Sequence, residues 1–339
     1  MLPPAAEFLF VLGKSQVCRV GCAKAQKRLG FAVIIVSMKT SLDIQNITDF
    51  IGKQFGDAED VKQMIEGEES QAFSFRQGAN QYVIRINPDM KGFLKDDYAY
   101  QQFNAPKLPI PRVVKTGKLD KQHSFCISEM MTGITLQDAD EATVTTLLAS
   151  ITDVWKNIGA VNIQKTQGYG DFSHNGNAPF RSWRDYLLSI LNESEYKWST
   201  IKGADKDLIA SMIAEFTKLV EKCPEERRLV HGDFGSNNIL ISSKEPEITA
   251  IIDWENALYG DPLFDIAIAH FWRTWLMCME KTATYWEEHL GTIPAYKQRI
   301  KCYQLRIGLH EIYDNASDGD IKMLGWLQER CKQILNESV

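Results

Sequence analysis

Two short segments constrain this chain more than any other part of it: HGDFGSNNIL at 231–240 and IIDWENALYGDP at 251–262. Asp233 and Asn238 stand five positions apart beside an apolar, strand-like run, and Asp253 closes another such run. Two aspartates and an asparagine oxygen converging on one point form an all-oxygen donor set, which suits octahedral Mg2+. Aspartate and glycine are also common turn residues, so HGD or GDP alone reads equally well as a turn with helix-capping acids. Asp253 follows Asn238 by fifteen residues, and both segments come after a β-rich stretch. That combination reads as a site.

The spacing H-x-D-x-x-x-x-N is that of the kinase catalytic loop. There the aspartate accepts the proton of the substrate hydroxyl and the asparagine holds a magnesium ion. On this reading Asp233 is the catalytic base, Asn238 and Asp253 are the Mg2+ ligands, and His231 organises the loop. The nucleotide side is then sought upstream. Arg85, in VIRI, stands where kinases carry a strand-borne lysine, and a guanidinium there can neutralise phosphate oxygens in bidentate fashion. Asp96, on the helix-like stretch 92–103, is its expected carboxylate partner. The segment GEESQAFSF at 67–75 lies where a phosphate-covering loop belongs, with backbone amides near Glu69 and Ser70 doing the work of a glycine-rich loop. SEMMTG at 128–133 is the expected interlobe hinge, where an adenine would bond the backbone near Glu129 and Met131.

The pattern around these residues is that of an α+β protein. LDIQNITDFIGKQF has helical apolar spacing, and strand-like runs follow at 61–66, 72–75 and 81–87. In the last, Tyr82, Ile84 and Ile86 alternate with Val83 and Arg85, the mark of a strand with one buried face. With VVKTGKL and SFCISEMM these predict a five-stranded antiparallel sheet with one helix inserted after its third strand. Beyond Met131 amphipathic helices dominate. The expected architecture is therefore a protein-kinase-like, two-lobed fold, with a small β-sheet lobe over 38–131 and a larger, mainly helical lobe over 132–339. Residues 1–37 carry five basic residues and one acidic one, and read as a non-native or disordered extension or an organelle transit peptide.

Charge narrows the partners. The chain has 38 Lys+Arg against 44 Asp+Glu, a net charge of −6. Setting aside the basic first 37 residues leaves −10 on the remainder. Such acidity disfavours nucleic acid and tolerates cationic small molecules. No apolar run reaches the ~18 residues of a membrane span. Seven scattered cysteines with no CxxC pair argue against zinc and for a reduced, cytoplasmic compartment.

With these residues in place the chain resembles the aminoglycoside phosphotransferase family, and within it the enzymes acting on hygromycin B. The likeness runs through EGEESQAFSF, YVIRIN, LPIP, GITLQD, LVHGDFGSNN, IDW and LRIGL, from about Met38 to the last helices. It implies ATP as co-substrate, Mg2+ as cofactor, and an aminoglycoside hydroxyl as acceptor, in a monomer or small homo-oligomer conferring antibiotic resistance. It also implies that Asp261, in GDP, braces the catalytic loop. A polycationic sugar calls for acids and flat apolar walls, for which Glu255, Glu280, Trp272 and Trp275 are the candidates. The segment ENALYGDPLFD, which the resemblance places beside the acceptor site, differs at several positions from the enzymes acting on hygromycin B, so the acceptor is the least constrained element. Two other readings use the same residues: a kinase of another small hydroxylated metabolite, such as a sugar, a choline-like alcohol or homoserine, and a non-catalytic kinase-like nucleotide-binding protein.

Overall fold

The computed structural model describes residues 42–56, 58–64 and 70–339. The 1–37 segment and Glu69 lie outside the described residues. The first lobe opens with α1 (Ile44–Phe55), capped by Asp43, whose side chain accepts the Gln45 N–H at 2.9 Å. The sheet follows: β1 (Glu59–Gln63), β2 (Gln71–Gln77), β3 (Asn80–Asn87), β4 (Val113–Lys118) and β5 (Ser124–Glu129). It is antiparallel, in the order β1-β2-β3-β5-β4. Alternation in β3 does what its pattern dictates: Tyr82, Ile84 and Ile86 are buried with Phe73 and Phe75 of β2 beneath Ile47 and Ile51 of α1. β1 starts two residues before the run that signals it, and a register shift between Glu59 and Lys62 interrupts its pairing with β2.

Between β3 and β4 lies α2 (Lys91–Phe103). It departs from an ordinary amphipathic helix, since Lys95 and Asp96 are buried along with Phe93, Ala99 and Phe103. Ala99 and Phe103, followed by Leu108 and Ile110, belong to the apolar core of the second lobe rather than to the core under the sheet. Chain order places α2 in the first lobe, and packing places much of it in the second.

The second lobe holds β6 (Ile134–Thr135), α3 (Glu141–Gly159), β7 (Gly170–Asp171), α4 (Trp183–Leu188), α5 (Lys206–Val220), β8 (Arg228–Val230), β9 (Ile239–Ile241), β10 (Ile248–Ile251), β11 (Leu258–Gly260), α6 (Leu263–Trp272), α7 (Met277–Leu290), α8 (Tyr296–Asp318) and α9 (Ile321–Asn336). Two three-stranded sheets, β10-β9-β6 and β7-β11-β8, carry the loops of interest at their ends. α6 is apolar on nearly every side, and every residue of it is buried. Such a helix must be enclosed by others, and α7 and α8 pack against it. Among the described residues, Cys126, Cys223, Cys278, Cys302 and Cys331 are free thiols, and no helix is long and apolar enough to cross a membrane.

Candidate active site

The loop 231–238 leaves β8 and enters β9. His231 is fully buried and works inside it. Its Nε2 lies 3.1 Å from the carbonyl of Ile252, and its Nδ1 accepts the Asp233 N–H at 3.3 Å. That pairing requires the neutral ring protonated at Nε2. Burial favours the same state by pushing the imidazole down to about 4. His231 therefore ties the loop to the strand end that carries Asp253, as expected of a loop organiser. Asn238 donates through Nδ2 to the carboxylate of Asp233 at 2.7 Å and to its carbonyl at 3.0 Å. Both bonds use the amide nitrogen of Asn238, so its amide oxygen is not what fixes Asp233 and is the atom that could meet a cation.

Asp253 follows β10 with a left-handed backbone, φ 64°. Its Oδ1 lies 3.7 Å from Nη1 of Arg85, which reaches across from β3. Arg85 also pairs with Asp96 of α2, as its spacing suggests, and lies over the ring of Phe93. The other oxygen of Asp96 accepts the Trp254 N–H at 2.8 Å, so one carboxylate orients both the guanidinium and the segment after Asp253. Burial, then the charge of Asp253, pushes Asp233 up to about 7, against the Asn238 bond that favours its ionised form. Burial also raises Asp253, partly offset by Arg85. A cation bound here would lower both carboxylates back toward their usual range. Among the described residues no cluster of three or more His, Cys, Asp or Glu could hold a metal alone. An Asp–Asn pair instead suits an ion whose other positions are filled by phosphate oxygens and water.

Residues 60–292 match the phosphotransferase enzyme family. The chain belongs to that family. It is 37% identical over 298 residues to hygromycin-B 4-O-kinase of Escherichia coli, covering 88% of this chain and 86% of that protein. Among solved structures it superposes with a TM-score of 0.81, at 38% identity, on a thermostable mutant of aminoglycoside phosphotransferase APH(4)-Ia in ternary complex with AMP-PNP and hygromycin B. The match covers 86% of this chain and 98% of that one. The GDP complex of wild-type aminoglycoside 2'-phosphotransferase-IIIa matches with a TM-score of 0.62 at 14% identity, over 87% of this chain and 99% of that one. That likeness is one of fold. The two-lobed, kinase-like architecture is common to all of these.

Within this phosphotransferase the brace of the catalytic loop is not Asp261. That carboxylate is fully buried and committed elsewhere. It accepts from Arg299 at 2.6 and 2.8 Å, from the Tyr303 hydroxyl at 2.5 Å and from the Leu263 N–H at 3.0 Å. Asp265, one helical turn later in α6, holds the loop instead. Its two oxygens accept the N–H groups of His231 at 3.0 Å and Gly232 at 2.8 Å. A signal for it existed: an acid inside LFDIAIAHFW, an otherwise apolar helix, must find buried partners.

The acceptor-side candidates separate. Trp272 is 2% exposed and stacks on Trp326 of α9, with ring centroids 5.2 Å apart and 4° between planes. Trp275 packs edge-on against the same ring at 4.8 Å. Trp272 is therefore a core residue rather than a sugar platform, and Trp275 is turned toward α9. Glu280, in the first turn of α7, is exposed. It follows Met279, whose side chain packs on Gly235 of the catalytic loop. Glu255 is half-buried just after Asp253, against Gly92 of α2. On the hinge, the Glu129 N–H is spent on the Arg112 carbonyl at 2.9 Å and the Met130 N–H on the Gln81 carbonyl at 3.0 Å. Met131 follows as half-buried, irregular chain. Ser70 sits half-buried at the threshold of β2.

Proposed function

We propose that this protein transfers the γ-phosphoryl group of ATP to a hydroxyl of an aminoglycoside of the hygromycin B type, and that this confers resistance to the drug. What carries the reading is the arrangement of Asp233, Asn238 and Asp253 opposite Arg85, in a chain so extensively similar to a hygromycin-B 4-O-kinase. Asn238 and Asp253 would hold Mg2+, which supplies charge neutralisation on the phosphate oxygens. Arg85, oriented by Asp96, adds its guanidinium to the same negative charge. Asp233, fixed by Asn238 and by the loop's bonds to Asp265, orients the acceptor hydroxyl. The hydroxyl oxygen forms the new bond to the γ-phosphorus, the bond to the bridging oxygen of ADP breaks, and the proton passes to Asp233. Glu255, half-buried, and Glu280, exposed, are the carboxylates that would meet the acceptor's ammonium groups.

The test is a coupled assay of ADP release with hygromycin B, other aminoglycosides and simple sugars or amino alcohols. Hygromycin B should be the preferred acceptor. Asp233→Ala should lower kcat by about 100-fold or more with nucleotide affinity retained. Preference for a simple alcohol would replace the acceptor assignment, and near-normal turnover in Asp233→Ala would remove the mechanism.

A further inference from the structure

We propose that Lys95 is a positioning residue that sets the metal-binding segment from α2. The residue is 6% exposed, in a helix whose neighbouring Asp96 already bonds the same segment. Its ammonium donates to the carbonyls of Glu255 and Ala257, the latter at 2.8 Å, and stands 4.8 Å from the centre of the Phe172 ring. Residues 252–257 form no strand or helix, so their backbone groups must be met by side chains or by each other. Ile252 bonds to Asn238 and His231, the Trp254 N–H to Asp96, and the Ala257 N–H to the Trp254 carbonyl. Lys95 takes the two carbonyls that complete the turn. Between them, the carbonyl of Asn256 abuts Gly232, next to the catalytic aspartate. One ammonium thus fixes the far end of the segment whose near end is Asp253, in its left-handed conformation. Without it, two carbonyls lose their donor and the loop is free to turn Asp253 away from Asn238.

The inference rests on the Mg2+-dependent reading above and concerns a residue that does not touch nucleotide or metal. Partners that orient a metal ligand typically contribute about 10–100-fold to metal affinity. The experiment is calorimetric titration of the full chain with AMP-PNP, in EDTA and across a Mg2+ series, for the wild type, Lys95→Met and Lys95→Arg. The Mg2+ concentration giving half the gain in nucleotide affinity should rise about 10–100-fold in Lys95→Met. Affinity in EDTA should stay as in the wild type. Lys95→Arg keeps charge and donors, and should recover part of the loss. A folded Lys95→Met protein with a lower unfolding temperature and an unchanged Mg2+ midpoint would overturn the proposal. If Lys95→Met does not fold, Lys95→Gln, which keeps one buried donor, is read instead, and a wild-type midpoint there overturns it equally. A wild type whose nucleotide affinity ignores Mg2+ would refute the functional reading itself, and is distinguishable because it needs no variant.

Discussion

Two buried aspartates one turn apart, Asp261 and Asp265, should both cost stability when substituted, but only one of them should cost turnover. Asp265→Ala strips the acceptors from the N–H groups of His231 and Gly232, which have no water to turn to. Hydrogen bonds to a charged group contribute about 1.5–3 kcal/mol each, so the gross loss is about 3–6 kcal/mol. Removing a desolvated carboxylate returns part of that, leaving about 2–4 kcal/mol. At roughly 2–4 °C per kcal/mol for a domain of this size class, Tm should fall by about 4–16 °C. The same two bonds fix the backbone just before Asp233. A displacement of about 1 Å there costs on the order of 100-fold in rate. Asp261→Asn breaks a buried pair with Arg299 and a bond from Tyr303, at about 3–5 kcal/mol. None of those partners lies in 231–238. Its folded enzyme should therefore keep kcat within about threefold, a change under 1 kcal/mol. Thermal melts paired with ADP-release kinetics well below both transitions separate the cases. The reasoning fails if Asp261→Asn loses as much kcat as Asp265→Ala, or if Asp265→Ala melts early yet turns over normally.

Three further outcomes follow from the geometry. Arg85→Lys gives up the planar fork that serves Asp96 and faces Asp253, and should raise the KM for ATP about tenfold with a smaller effect on kcat; equal affinity would take Arg85 out of the nucleotide site. Trp272→Ala should cost about 3–5 kcal/mol of stability with the acceptor KM unchanged, and a selective rise in that KM would return Trp272 to the substrate pocket. In metal-free protein, burial and Asp253 raise Asp233 to about 7, against about 4 in the unfolded chain. Between those values the folded state holds a proton that the unfolded state has lost. The group's contribution is thus complete below about pH 4 and lost as pH rises through about 7. In EDTA, Asp233→Asn should lose less stability than the wild type between about pH 4 and about pH 7, and parallel melting curves would contradict the assignment.

What could be read from the chain was what depends on short range. The spacing of His231, Asp233 and Asn238 lies within one loop, and alternation in 82–86 lies within one strand, so both are visible without knowing what packs on them. Arg85 and Asp96 are eleven residues apart, yet strand and helix are adjacent in order, and the pairing follows. Asp261 and Asp265 could not be told apart, because which of them faces β8 depends on how α6 lies among its neighbours. Trp272 can be offered as a sugar wall from sequence because the partner that commits it to the core, Trp326, comes from α9.

Lys95 is hidden in the sequence for a related reason, although it stands at four-residue spacing with Ala99 and Phe103, on the face that joins the second lobe. A lysine in a helix normally points to water, and here two carbonyls of the other lobe claim it. The same contacts change what the lobes are. The sheet bears Arg85 over one core, while Lys95, Asp96, Ala99 and Phe103 join α2 to the other. The Arg85–Asp96 pair consequently spans two separately packed bodies. Any opening of the cleft that carries the sheet away from α2 must break that pair and release Asp253 from Arg85 in the same motion. The contact of Arg85 with Asp253 thus depends on how the sheet sits on α2, while Asp233 and Asn238 are held by bonds within the second lobe alone.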